Sequence, residues 1–366
     1  MEYAACSHKG GDLSSVRRRA ALFLDNLTGE GHRASIARQS SVTKWTTIGD
    51  EQCIVGELKA SKGDRNEAAE ARLCALTAFE VARRLLDASD PRWREVTAKI
   101  EAGIECLEMT LAKIERVKIA ACDYTEILAY YVPAGHHCPP TPAVICISME
   151  DESEATLLAR LLPAAIDRGM SLLVVSHRDV SNAARGLSQA LLSACLDYLA
   201  ARPDVDAARI GVYGEGTSAA LATDFAGSDH RLVAAVCDGG LWNLARVQAS
   251  VVWMTSLGDA PEQRGSTAHR TQLMRRLRCP VLVVTGGRGV VSVSEAMKLQ
   301  TECIEERIDL DLAMPRMIKS SGGCIENFVT SDDCIFDWLK QKLAYGAAPS
   351  SQPKDRPHIN AHVLSR

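Results

Sequence analysis

The sequence predicts an open, mainly parallel α/β sheet, doubly wound with helices on both faces and preceded by a helical domain. Two observations carry this. From residue 117 onward the hydrophobic period changes from helical to strand-like, and short apolar runs then alternate with helical patterns, the order a parallel sheet requires. At residues 210–213 one such run enters the small-residue turn Gly214-Glu215-Gly216 and continues into the alanine-rich helical stretch 217–225.

Taken in order, residues 1–112 read as helical, with apolar residues at helical spacing over 73–86 and again over 93–114. Asp87-Ala88-Ser89-Asp90-Pro91 separates these helices, with Ser89 or Asp90 as N-cap and Pro91 at the first helical position. This part is expected to be a cap or dimerisation element. Runs 117–122 and 126–132 read as a hairpin around Asp123-Tyr124-Thr125. Strands are expected at 141–147, 171–176, 209–213, 232–237, 280–284 and 309–313, which makes 113–345 the sheet domain. Residues 240–278 form an insertion where a lid is expected. The last helix ends after Trp338 and Leu339, and 346–366, rich in proline, serine and charge, reads as a disordered tail.

With 366 residues, 46% apolar and 24% charged, the chain has the composition of a soluble globular protein. A formal net charge of -4 with both signs interspersed gives no electrostatic case for nucleic acid, and no apolar run approaches the roughly 20 residues of a membrane span. The first eleven residues carry no signal-peptide core. The thirteen cysteines sit mostly inside apolar patterns, which predicts reduced buried thiols and a cytoplasmic location. No pair has the spacing of a zinc site, and neither a metal nor another cofactor is expected.

The strand, turn and helix around Gly216 have the form of a nucleophile elbow, G-x-S-x-G, which reads here Gly214-Glu215-Gly216-Thr217-Ser218. The frame is kept and glycine stands where the nucleophile belongs. The loop after 280–284, Thr285-Gly286-Gly287-Arg288-Gly289, places Gly289 at the position of a triad acid. The loop after 309–313 leads to Gly322-Gly323-Cys324, and no histidine occurs between Arg270 and Pro357. The order nucleophile, acid, base thus falls on Gly216, Gly289 and Gly322 or Gly323, which should converge at the C-terminal edge of the sheet.

Over residues 70–345 the chain resembles the α/β-hydrolases with a helical N-terminal domain, the branch of dihydroxypseudooxynicotine hydrolase and the fermentation-respiration switch protein. The resemblance is carried by Glu115-Arg116-Val117-Lys118-Ile119, Ile127-Leu128-Ala129-Tyr130-Tyr131-Val132-Pro133, Pro142-Ala143-Val144-Ile145-Cys146-Ile147, the elbow, the Gly286 loop and Cys324-Ile325-Glu326-Asn327. It implies the α/β-hydrolase fold, and fold alone does not carry activity. The loop that in such enzymes helps form the oxyanion hole is here Ser148-Met149-Glu150-Asp151-Glu152-Ser153-Glu154, whose four carboxylates oppose an oxyanion unless they face solvent.

A few residues retain chemistry. Ser218 is either a displaced nucleophile or a helix-start serine, and Thr217 is expected to cap the helix. Cys324 lacks a neighbouring base and reads as a structural thiol. Asp238 is a turn-forming Asp-Gly or a ligand-orienting carboxylate. His177 with Asp179 is an acid/base pair or a surface-loop histidine, and Glu215 is a cavity carboxylate or a solvated turn residue. The leading expectation is a pseudoenzyme that binds a small molecule or a protein partner, a second copy of the chain included. A non-hydrolytic lyase, cyclase or isomerase is the alternative, and a hydrolase with a relocated nucleophile the second one.

Overall fold

The computed structural model of the chain describes residues 12–27, 32–111, 114–121, 126–135, 140–166, 168–181, 185–239, 276–285, 297, 300–301, 303–305, 307–315, 317–320, 323–344 and 361–363. Its residues group into two compact units, each discontinuous in sequence. One holds Met1–Glu115, Ala155–Ile166 and Met317–Thr330; the other holds Arg116–Glu154, Asp167–Arg316 and Ser331–Arg366.

In the first unit α1 (Leu13–Asp25), α2 (His32–Ser61), α3 (Arg65–Arg84) and α4 (Pro91–Leu111) follow one another. Asp12 caps α1 by accepting from the Ser14 N–H at 3.1 Å. At α4 the Asp90 carboxylate accepts from the Arg92 N–H at 3.0 Å and Pro91 opens the helix. Helix α3 is buried nearly all round, so its charged Glu80 and Arg83 are 2% and 8% exposed and are paired with each other at 2.7 Å. The crossing of α2 on α3 is close at Gly49, where an added Cβ would stand 2.8 Å from Phe79 Cζ and nearer to other ring atoms.

The second unit is built on a nine-stranded sheet: β1 (Glu115–Ala120), β2 (Glu126–Val132), β3 (Thr141–Ile147), β4 (Ser171–Val175), β5 (Val205–Glu215), β6 (Leu232–Asp238), β7 (Val281–Val284), β8 (Leu310–Met314) and β11 (Ala361–Val363) in spatial order β1-β2-β4-β3-β5-β6-β7-β8-β11. β2 is antiparallel to β4; the pairs from β4 across to β11 are parallel. Strand alternation divides the buried residues. Ile145, Ile147, Leu173, Val175, Ile210 and Val212 share a core cluster with Leu192, Leu196 and Leu199 of α7 (Arg185–Ala200) and Ala222 and Phe225 of α8 (Ser218–Ser228). On the alternate side, a Cβ at Gly211 would lie 3.6 Å from Leu339 and Leu343 of the last helix, Phe328–Leu343. Burial of both faces explains why these strands read as continuous apolar runs.

Between these elements lie α5 (Glu154–Ala165), the single turn α6 (His177–Val180), and a two-stranded antiparallel hairpin of β9 (Met317–Ser320) and β10 (Gly323–Glu326); Phe328–Leu343 is α9. The sequence was expected to run as a loop through 319–327. Instead Gly323 pairs with Ser320 and Glu326 with Met317, because Ile318 and Ile325 oppose each other across the hairpin. Residues 240–275 of the expected lid, and 346–360 and 364–366 of the expected tail, lie outside the described residues. Among the described residues no helix is long and apolar enough to cross a membrane.

Candidate functional site

The order of the sheet reverses at β3: the chain passes from β3 to β4 on one side and returns to β5 on the other. Open α/β sheets bind ligands at the carboxyl ends of the strands beside such a reversal. The segments there are the loop after β3, the turn after β4, the elbow after β5 and the end of β6.

The elbow keeps its backbone. Gly216 has φ +58°, the left-handed conformation in which such a turn presents its residue, and its N–H donates to the Asp238 carbonyl at 2.7 Å. The first glycine of the motif is a packing residue: a Cβ on Gly214 would sit 2.7 Å from the Ser218 carbonyl carbon and 2.9 Å from Ala222 Cβ. Gly239, with φ +124°, brings its own backbone to the elbow, and a Cβ there would meet Gly216 Cα at 3.3 Å. Above Gly216 lies Met149. A Cβ built at 216 would be 3.4 Å from Met149 Cγ and 3.6 Å from both Sδ and Cε.

Met149 is held there by the stitching of its loop. The Ser148 N–H donates to the Val175 carbonyl at 3.0 Å, and the Ser148 hydroxyl donates to the Glu152 carbonyl at 2.9 Å while accepting from the His177 N–H at 3.2 Å. Ser176 caps α6 by accepting from the Arg178 N–H at 3.1 Å, and Arg178 Nε reaches the Glu150 carbonyl at 3.4 Å.

Ser218 is the first residue of α8 and is fully buried. Its hydroxyl lies 2.5 Å from the Ser148 carbonyl and 2.7 Å from His177 Nδ1. A carbonyl only accepts, so the single hydroxyl proton goes to Ser148, and His177 Nδ1 is the protonated nitrogen that donates to Oγ. Burial pushes the His177 imidazole below its ordinary value of 6.5; the Glu150 charge acts the other way and Arg178 adds to the lowering. His177 is therefore a neutral, half-buried imidazole with Nδ1–H fixed, not a surface-loop group.

Glu215 and Asp238 end adjacent strands and pair in register. Both are buried, at 0% and 5% exposure, so the solvated alternative for Glu215 does not hold. The Tyr213 hydroxyl stands between them, 3.0 Å from Asp238 Oδ2 and 3.3 Å from Glu215 Oε2. Thr217 does not cap α8 with its side chain: its φ of -64° and ψ of -28° are already helical, whereas a capping side chain works from extended backbone. Its Oγ1 is buried with no hydrogen-bond partner among the described residues. The buried thiols are poor nucleophiles, since desolvation raises Cys195 and Cys237 to about 12. Among the described residues no cluster could hold a metal ion.

The structure places Gly216, Ser218, His177, Glu215 and Asp238 at the strand ends and loops on this edge of the sheet. Gly289 and Gly322 lie outside the described residues, so their convergence with Gly216 is untouched by this geometry; Gly323 opens β10 in the other unit, and nothing is described of the Cys324 side chain. The roles of Ser148 and Tyr213 are additional to the residues singled out from the sequence. A serine directly after an apolar strand run, and a tyrosine inside one, were the signals available.

The strand order, the antiparallel pairing of β2 with β4 and the elbow after β5 decide the architecture. The chain has the α/β-hydrolase fold. It is similar in structure to 2,6-dihydroxy-pseudo-oxynicotine hydrolase, with a TM-score of 0.58 and 18% identity over 91% of this chain and 98% of that one. It is also similar to a puromycin-hydrolysing peptidase of Mycobacterium tuberculosis, with a TM-score of 0.50 and 14% identity over 63% of this chain and 39% of that longer protein. No protein-family model and no curated protein matches the sequence.

Proposed function

We propose that the protein is a pseudoenzyme of the hydrolase fold, which binds a small molecule or a partner protein without forming an acyl-enzyme. One observation carries the reading: the elbow retains its left-handed backbone at Gly216, and the Met149 thioether lies against the position where a nucleophile would project. The relocated-nucleophile reading is disfavoured because the Ser218 hydroxyl is buried, gives its proton to a carbonyl and faces an imidazole nitrogen that already carries one. A non-hydrolytic lyase, cyclase or isomerase is the second reading, favoured specifically by the neutral His177 held beside the elbow loop.

The test is exposure to a fluorophosphonate probe and to a chromogenic acyl ester. Neither stoichiometric labelling nor a burst of chromophore is expected. Labelling that survives Ser218→Ala would remove the reading, and labelling abolished by Ser218→Ala would restore Ser218 as a nucleophile.

A further inference from the structure

We infer that His177 is the proton-accepting group of this site, acting through Nε2, and that Ser218 is its positioning residue, fixing the tautomer by tying Nδ1–H to the Ser148 carbonyl. The inference deepens the second reading above and rests on this edge of the sheet being the working site.

The protons run along one chain of contacts. The Ser148 carbonyl accepts from the Ser218 hydroxyl at 2.5 Å, and Ser218 Oγ accepts from His177 Nδ1 at 2.7 Å. Both of these hydrogens are then assigned, so the ring's lone pair is on Nε2. The backbone holds the same ring from the other side, since the His177 N–H donates to Ser148 Oγ, whose own proton goes to the Glu152 carbonyl. One residue, Ser148, therefore anchors both ends of His177. In a serine triad a carboxylate orients the base through its Nδ1–H; here a buried hydroxyl backed by a carbonyl does so.

This arrangement needs no rearrangement when the base works. A bound molecule's X–H bond breaks, an Nε2–H bond forms, and the electron pair stays on the ligand. The chain from Nδ1 to Ser148 is unchanged in the imidazolium, whose charge Glu150 favours. A neutral imidazole is matched to a proton made acidic by a neighbouring carbonyl or aryl group, such as that of an enol, a phenol or a C–H between carbonyls.

Long-range 1H–15N NMR of the histidine rings reads the tautomer directly. At neutral pH the wild-type His177 should show a protonated Nδ1 and an unprotonated Nε2, and Ser218→Ala or Ser218→Gly should shift the ring toward the Nε2–H form. Diethyl pyrocarbonate, mapped by mass spectrometry, should modify His177 in the intact protein. An Nε2–H tautomer in the wild type, or a His177 inert to the reagent while exposed histidines react, overturns the inference. Either wild-type result is decisive even if the Ser218 variants do not fold. Neither bears on the vacant elbow, which the fluorophosphonate experiment tests separately.

Discussion

A side chain at position 216 has to accept a φ of +58°, and its Cβ would come into van der Waals contact with Met149 at 3.4 Å. The first costs an L-residue about 1–2 kcal/mol. Gly216→Ser should therefore be destabilised by roughly that amount in denaturant titration, and should gain no esterase activity, because glycine stands at the expected triad acid and base positions, 289 and 322 or 323. The comparison is the triple variant Gly216→Ser, Gly289→Asp, Gly322→His, with Gly323→His as the other register. A single variant as active as the triple one would show that the acid and base positions are misassigned. His177 supplies a second expectation at this scale. Its folded value lies below its ordinary 6.5, so the unfolded chain takes up the proton first and stability falls as pH drops from 6.5 toward the folded value, with no further loss below it. His177→Gln should lack that segment of the stability–pH curve. How much of this site was legible in the sequence differs residue by residue. Gly216 could be read because the elbow is local, a strand and a helix joined by three residues. The Ser218–His177–Ser148 chain could not, because it joins residues 29 to 70 positions apart whose proximity is set by the order of the sheet.

At the scale of elements, α3 is the one whose burial forces a charged cluster. Burial alone would raise the Glu80 carboxyl, but Arg83 and Arg84 outweigh it and hold the group at about 2. Arg83 is bonded to it at 2.7 and 2.9 Å and Arg84 at 2.6 Å, and the guanidinium of Arg84 also lies 5.5 Å from the Phe328 ring centroid. Glu80→Gln removes the carboxylate that both guanidiniums share and should cost about 3–5 kcal/mol in unfolding free energy. In the wild type the cluster's contribution is complete above the ordinary 4.5 and is lost as pH falls from there to about 2, which acid titration of the variant against wild type would expose as a difference confined to that range. The sheet strands were readable for a related reason. Two buried faces make each one a run of apolar residues, whereas β9 and β10 carry Lys319, Ser320 and Glu326 and resemble loop until their pairing is known. Boundaries moved where polar residues extend a strand: β5 begins at Val205, four residues before its expected start, and contains Asp206 and Arg209, which pair with each other at 2.6 Å.

At the scale of the whole molecule, the helical unit is not the N-terminal third of the chain alone, since it takes in Ala155–Ile166 and Met317–Thr330. Asn327 Nδ2 donates to the Ala21 carbonyl at 3.1 Å and to Asp25 Oδ1 at 2.8 Å, so α1 is anchored by a residue from far along the sequence. A fragment ending at residue 115 should accordingly show α1 amides exchanging at least tenfold faster than in the intact protein, as measured by hydrogen exchange; equal protection would show that the later segments contribute nothing to it. The interleaving also sets a schedule during synthesis. Roughly 200 residues separate the last helix of the N-terminal run from the segment that supplies Asn327, and at about 5–20 residues per second the ribosome takes about 10–40 s to deliver them. Over that interval α1 has α3 to pack on, through the Leu13 N–H on Glu70 at 3.1 Å, but not the two bonds from Asn327, so its Ala21–Asp25 end is left open to chaperones and proteases until the later segment arrives.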